Sequence, residues 1–177
     1  MIKETSRQVA STVFEGMTSL SAVIESALAG KNDRRITEVL YDRSKAHTKA
    51  KEIAYLRRMA DKLDFSVTEA DAEEIDALAT GNSHGGIIAR CTERTISPLT
   101  AESLPEAGFV VMIEGIEDPY NFGYALRTIY AAGADAVILT PRNWMSAAGV
   151  VCRSSAGASE FLPLFVSEPE VIMAQGK

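Results

Sequence analysis

The sequence predicts two α/β units in tandem, and three observations carry that expectation. Up to Cys91, short β-branched runs alternate with amphipathic helical stripes. From Thr95 to Ala107 the composition shifts: Ser97, Pro98 and Pro105 appear and core candidates thin out, as at a domain boundary. Beyond it, Phe109–Ile113 is a continuous apolar run suited to a strand buried in a parallel sheet. It opens a β-α-β-α-β order with a Rossmann-like beginning.

The elements follow in order. Met1 to about Ser11 is polar and reads as a frayed arm. Leu20, Val23, Ile24, Ala27 and Leu28 recur at helical spacing, so a helix is expected over Leu20–Ala29, stopped by Gly30. Arg35–Tyr41 reads as a strand. Ile53, Leu56, Ala60 and Leu63 make one apolar stripe of a long helix from about His47 to Leu63, with a basic opposite face. Phe65–Thr68 is a short strand, Asp71 caps a helix over Ala72–Leu78 that Gly81 ends, and Gly86–Cys91 is a strand. In the second unit, Asn121–Ala132 is a helix, Ala136–Leu139 a buried strand and Ala147–Cys152 helical. Glu160–Val166 is expected as a third strand, bent by Pro163, and Val171, Ile172 and Met173 start another apolar element.

Composition narrows the function classes. The 177 residues include 18 Lys and Arg against 24 Asp and Glu, a net charge of −6. Nucleic-acid binding would therefore need a local basic patch. Cys91 and Cys152 lie far apart, and His47 and His84 form no cluster with ligand spacing, so neither a disulfide framework nor a metal site is expected. The N-terminus has no apolar signal region, and no apolar run is long enough for a bilayer, so a cytoplasmic protein with free thiols is expected. There is no phosphate loop, no GxGxxG, no GxSxG and no HExxH.

Three stretches could carry chemistry. Glu114 to Thr128 follows a buried strand directly, where open α/β sheets bind ligands. There Asp118-Pro119 makes a turn, Asn121 can cap the helix, and Arg127 lies off the apolar stripe of Phe122, Leu126 and Ile129. Such an Arg can grip a phosphate through both nitrogens, although a capped helix with a solvated Arg has the same pattern. Arg153 to Glu160 is rich in small and hydroxyl residues that allow close backbone approach, as does any tight turn. Gly81 to Gly86 could offer His84 and backbone amides to a polyanion, or simply turn into a strand. Basic residues gather at Lys31, Arg34 and Arg35 and at Lys45, Lys49, Lys51, Arg57 and Arg58. They could form a phosphate-contacting face, or a solvated helix face with Glu52 and Asp61 among them.

The order of these signals resembles the SpoU (TrmH) family of RNA 2′-O-ribose methyltransferases in the SPOUT superfamily. The resemblance rests on Asp118-Pro-Tyr-Asn-Phe-Gly, Leu126-Arg127-Thr128, Ala132-Gly133, Ser155-Ala-Gly-Ala158 and Pro163. The first half resembles that family's L30e-like substrate-binding domain through Glu15-Gly16, Val23 to Leu28 and His84-Gly85-Gly86, where the family usually has His-Gln-Gly. The resemblance implies an L30e-like α/β domain over 1–96, a linker over 97–107 and the beginning of a SPOUT domain over 108–177. It implies methyl transfer from S-adenosylmethionine to a ribose 2′-hydroxyl, in ribosomal RNA before transfer RNA, by an intact parent that is a homodimer. Asn121 and Arg127 would be the active-site pair; His84, Arg34, Arg35, Lys49 and Ser155 would contact RNA. The family's two later cofactor motifs are not found before Lys177, so the expected SPOUT unit is incomplete and without its trefoil knot. This chain alone is expected to lack cofactor-binding residues and to be inactive. The alternative is a non-catalytic L30e-like RNA-binding protein with a degenerate partner domain.

Overall fold

A computed structural model describes residues 12–140 and 147–167. The expected N-terminal arm and the apolar element around Val171–Met173 lie outside the described residues.

The first unit runs β1 (Val13–Glu15), α1 (Gly16–Leu28), β2 (Ile36–Asp42), a 3-10 turn (Arg43–Lys45), α2 (Ala50–Leu63), β3 (Ser66–Ala70), α3 (Ala72–Leu78) and β4 (Ile87–Cys91). Its sheet has the order β1-β4-β2-β3, antiparallel except for the β2–β3 pair. On one face α1 and α2 bury Leu20, Val23, Ile24, Ile53 and Leu56 against Phe14, Val39 and Ile87. Burying each such side chain is worth about 1.5–3 kcal/mol. On the other face Ile75 of α3 closes over Val13, Leu40 and Ile88.

The second unit runs β5 (Ser97–Pro98), a 3-10 turn (Ala101–Ser103), β6 (Val110–Ile113), α4 (Pro119–Ala131), β7 (Ala136–Leu139), α5 (Ala148–Ser154), α6 (Ala158–Phe161) and β8 (Leu164–Val166). Its sheet is wholly parallel, in the order β5-β8-β7-β6. Phe122 and Leu126 of α4, Val151 of α5 and Leu162 pack on Val137, Leu139 and Leu164. The tandem α/β expectation holds.

Three local expectations are corrected. β1 was not anticipated, and α1 begins at Gly16, before the expected Leu20. A three-residue strand beside a polar arm leaves no alternation to read. The expected strand over Glu160–Val166 is a helical turn to Phe161 and then a strand from Leu164. Pro163 forces Leu162 into extended backbone, φ −68° and ψ 131°, and so sets the break. Within the expected linker, Ser97 and Pro98 form the edge strand beside Phe165 and Val166.

The two units are interlocked. Cys152 of α5 is fully buried in the first unit's core. Gly149 lies so close to the Val13 carbonyl that a side chain there would overlap it, and Gly157 sits against Ala22 in the same way. Glu160 accepts from Arg34 Nε at 3.0 Å, with both side chains more than nine-tenths buried. Asn32 donates to the Glu160 carbonyl at 2.8 Å, and Arg94 donates to the carbonyls of Ser159 and Leu162.

Candidate functional site

Two neighbouring regions meet at the end of α5. The first is a cavity of about 310 Å³ lined by Glu15 to Thr18, Lys49, Glu52, Ser83, His84, Gly85 and Arg153. Local chemistry places each of its polar groups. The Asp42 side chain accepts from Ser44, which holds its carboxyl below the usual range and fixes the turn before Lys49. Lys49 Nζ pairs with Glu52 at 3.0 Å and stays about one third exposed. His84 Nδ1 accepts from Gly86 N at 3.1 Å, so the ring proton sits on Nε2, 3.2 Å from Asp76. Gly85 and Gly86, at φ +64° and +80°, give the loop the left-handed turn that lets His84 fold inward. Glu15 is buried and accepts from Thr80 N and Oγ1 at 2.6 Å and from Arg153 at 2.7 Å.

The second region is the exposed face of α4. Asp118 caps it, accepting from Asn121 N at 2.8 Å, and Pro119 supplies the ready-made φ of a first turn. Phe122 and Leu126 are buried, while Asn121, Tyr124, Arg127 and Thr128 face solvent. Arg127 makes no ion pair among the described residues. Gly123 leaves room for Ser154, whose Oγ reaches the Pro119 carbonyl at 3.4 Å. Adjacent residues of α5, Arg153 and Ser154, thus touch the cavity on one side and the start of α4 on the other.

The structure sorts the expected site residues. Lys49 and His84 share the cavity, whereas Asn121 and Arg127 lie together on α4 and do not line it. Arg35 is exposed and lines neither, its guanidinium donating to the carbonyls of Asn32 and Arg34. Arg34 and Ser155 are corrected as RNA contacts, because both are interior. Arg34 is spent on Glu160, the Thr92 carbonyl and the ring of Phe14, while Ser155 bonds Cys152 O and Ser159 N. Sequence reasoning missed Arg153 and Glu15 as cavity groups, since only folding brings these distant charges together. The thiols are not nucleophiles: burial pushes Cys91 up to about 12 and raises Cys152 as well. Among the described residues no cluster could hold a metal ion, and no helix is long and apolar enough to cross a membrane.

Comparison with known proteins covers both units. Residues 108–175 match the SpoU rRNA Methylase family, and residues 22–96 match the family model for RNA 2′-O ribose methyltransferase substrate binding. Human mitochondrial rRNA methyltransferase 1 is 31% identical over 163 residues, which is 86% of this chain and 43% of that protein. The 23S rRNA (guanosine-2′-O-)-methyltransferase RlmB of Shewanella oneidensis is 27% identical over 144 residues, 78% of this chain and 51% of that protein. An rRNA methyltransferase from Sinorhizobium meliloti superposes with a TM-score of 0.70 at 18% identity, over 98% of this chain and 65% of that one. The SpoU methyltransferase AviRb from Streptomyces viridochromogenes, solved in complex with AdoMet, gives 0.68 at 16%, over 98% and 66%. The chain spans about half the length of the curated relatives it matches.

Proposed function

Because this chain belongs to the SpoU methylase family, we propose that it serves S-adenosylmethionine-dependent methylation of a ribose 2′-hydroxyl in RNA, with ribosomal RNA as the substrate class. The carrying observation is the pairing of both family regions, in order, with an exposed Asn121 and an unpaired Arg127 on α4. S-adenosylmethionine supplies an electrophilic methyl group when bound. Among the described residues one group suits a polar ligand at the carboxyl edge of the parallel sheet. Thr140 Oγ1, just past β7, is buried and has no hydrogen-bond partner among the described residues.

In this reading Arg127 binds the phosphate beside the reacting ribose. There the guanidinium positions the hydroxyl and stabilises developing charge. Asn121 orients the sugar through its amide. Lys49, His84 and Arg153 contact the RNA further along, and Arg35 adds a phosphate contact outside the cavity. Homodimerisation and a cytoplasmic location belong to the same proposal. The test is transfer of a labelled methyl group to ribosomal RNA by the full-length protein. Arg127→Ala should lower the rate by about a hundredfold or more. An unchanged rate would remove Arg127 from the mechanism, and no transfer by the parent protein would overturn the reading itself.

A further inference from the structure

We propose that Lys51, Arg58 and Lys62 form a stripe along α2 that grips the phosphates of a double-helical segment of the RNA substrate. The inference rests on the RNA-binding reading above and adds a contact surface on the first unit that follows backbone shape rather than base sequence. Lys51, Tyr55, Arg58 and Lys62 stand at i, i+4, i+7 and i+11 of α2, so they share one face within about 60° of arc. Ile53, Leu56 and Met59 turn to the core instead. Lys51, Arg58 and Lys62 are exposed, and none of them makes an ion pair among the described residues. Arg43, Lys45, Lys49, Arg90 and Arg153, by contrast, sit against carboxylates. In a chain of net charge −6, three unspent cations on one helix face make a local positive field that attracts a polyanion. The acids of α2 leave that face clear. Glu52 is held by Lys49 at 3.0 Å, and Asp61 projects about 100° round the helix from Lys62.

The one aromatic ring on the stripe decides which form of RNA fits. Tyr55 is partly buried, and the Arg58 guanidinium lies over its ring, 5.8 Å from the centroid. The arginine covers the ring face that a base would need, and the ring in turn steadies the guanidinium. Burial and then the charge of Glu25 on α1 raise the Tyr55 pKa, so its hydroxyl stays neutral beside a phosphate. What the stripe offers is therefore charge without a stacking surface. Proteins that hold single strands add aromatic faces for the bases. An RNA duplex keeps its base faces stacked internally and presents phosphates and 2′-hydroxyls. Arg58 and Lys62 are about 6 Å apart along the helix axis and Lys51 lies about 10 Å before Arg58, so one phosphate strand can run along all three. α2 starts at the cavity, where Lys49 and Glu52 form part of the wall, so a duplex on the stripe lies beside that cavity.

The probes are two fluorescently labelled RNA duplexes of unrelated sequence, titrated with the full-length protein at several salt concentrations. Melting temperature is the folding control. Lys51→Gln/Arg58→Gln/Lys62→Gln should weaken both duplexes alike, about tenfold or more, and reduce the logarithmic salt slope by about two to three. Lys51→Arg/Arg58→Lys/Lys62→Arg keeps the charges and should bind within about twofold of the parent. Arg43→Gln/Lys45→Gln/Arg90→Gln removes as many cations, all of them held by carboxylates, and should change the slope by less than about one. If that control loses as much slope as the stripe variant, net charge alone acts and the stripe is overturned. An unchanged slope in the stripe variant, a loss confined to one of the two sequences, or a parent that binds neither duplex overturns it as well. Methyl transfer to ribosomal RNA, measured on the same preparations, separates the two readings. If the parent methylates and the stripe variant keeps its slope, the stripe falls alone. If the parent transfers no methyl group and the stripe variant still loses its slope, the methylation reading falls and the stripe stands.

Discussion

Arg34→Met would strand a carboxylate at the junction of the two units. Glu160 is 2% exposed and Arg34 7%, so water cannot replace the lost guanidinium. The carboxylate would keep the Ser159 hydroxyl at 3.1 Å, a long contact to Asn32 at 3.4 Å and the more distant charge of Arg94, but no cation hydrogen-bonded to it. Removing one partner of a buried pair costs about 3–5 kcal/mol. The guanidinium also lies 4.8 Å from the Phe14 ring centroid, a contact that methionine replaces only in part. We expect a loss of about 4 kcal/mol, a large share of a typical stability of roughly 5–15 kcal/mol. Urea unfolding followed by circular dichroism measures it. Arg34→Met/Glu160→Leu removes both charges and should recover most of the loss, because apolar replacement of a buried pair is often neutral. A single-variant cost below about 1 kcal/mol, or a double variant as unstable as the two single losses added together, would refute this account of the junction.

Other expectations concern packing, thiols and salt. Gly123→Ala should destabilise by about 1–3 kcal/mol, because its methyl would overlap Ser154, and Ser154→Gly should relieve it. Thermal melts of the three variants decide that. Cys91 and Cys152 should resist a thiol reagent in the folded protein and react fully in urea; rapid labelling without denaturant would contradict their burial. Burial raises the folded pKa of Cys91 to about 12, above its unfolded value, so its contribution is complete below the unfolded pKa. That contribution is lost as pH rises towards 12, at up to about 1.4 kcal/mol per pH unit, and the Cys91→Ala variant should show a shallower alkaline slope. RNA affinity should fall with salt, and Lys49→Ala should reduce the logarithmic slope by about one, read from titrations at several ionic strengths.

Much of the second unit was legible because its signals are local. Asp118-Pro119 announces the start of α4, and its 3.6-residue period separates buried Phe122 and Leu126 from exposed Arg127. Gly85-Gly86 likewise marks a turn into β4, and His84 beside it is a cavity residue. What stayed hidden depends on partners distant in the chain. Arg34 reads as one of a surface basic run, and only Glu160, 126 positions away, makes it interior. Ser155 reads as an exposed hydroxyl in a small-residue loop, yet it closes the turn between α5 and α6. The helical turn at Glu160 was hidden behind strand-forming neighbours until Pro163 set the boundary.

The pair between Glu15 and Arg153 spans 138 positions of chain. Closing a flexible loop of that length costs roughly 4 kcal/mol in chain entropy before any contact is made. We expect the seam to close after the two units have formed, an order that the folding and unfolding rates of seam variants would test. Contacts absent from the transition state act on the unfolding rate rather than the folding rate. On that expectation the arginine and glutamate pairs across the seam act chiefly as a kinetic brake, and their removal should speed unfolding more than it slows folding.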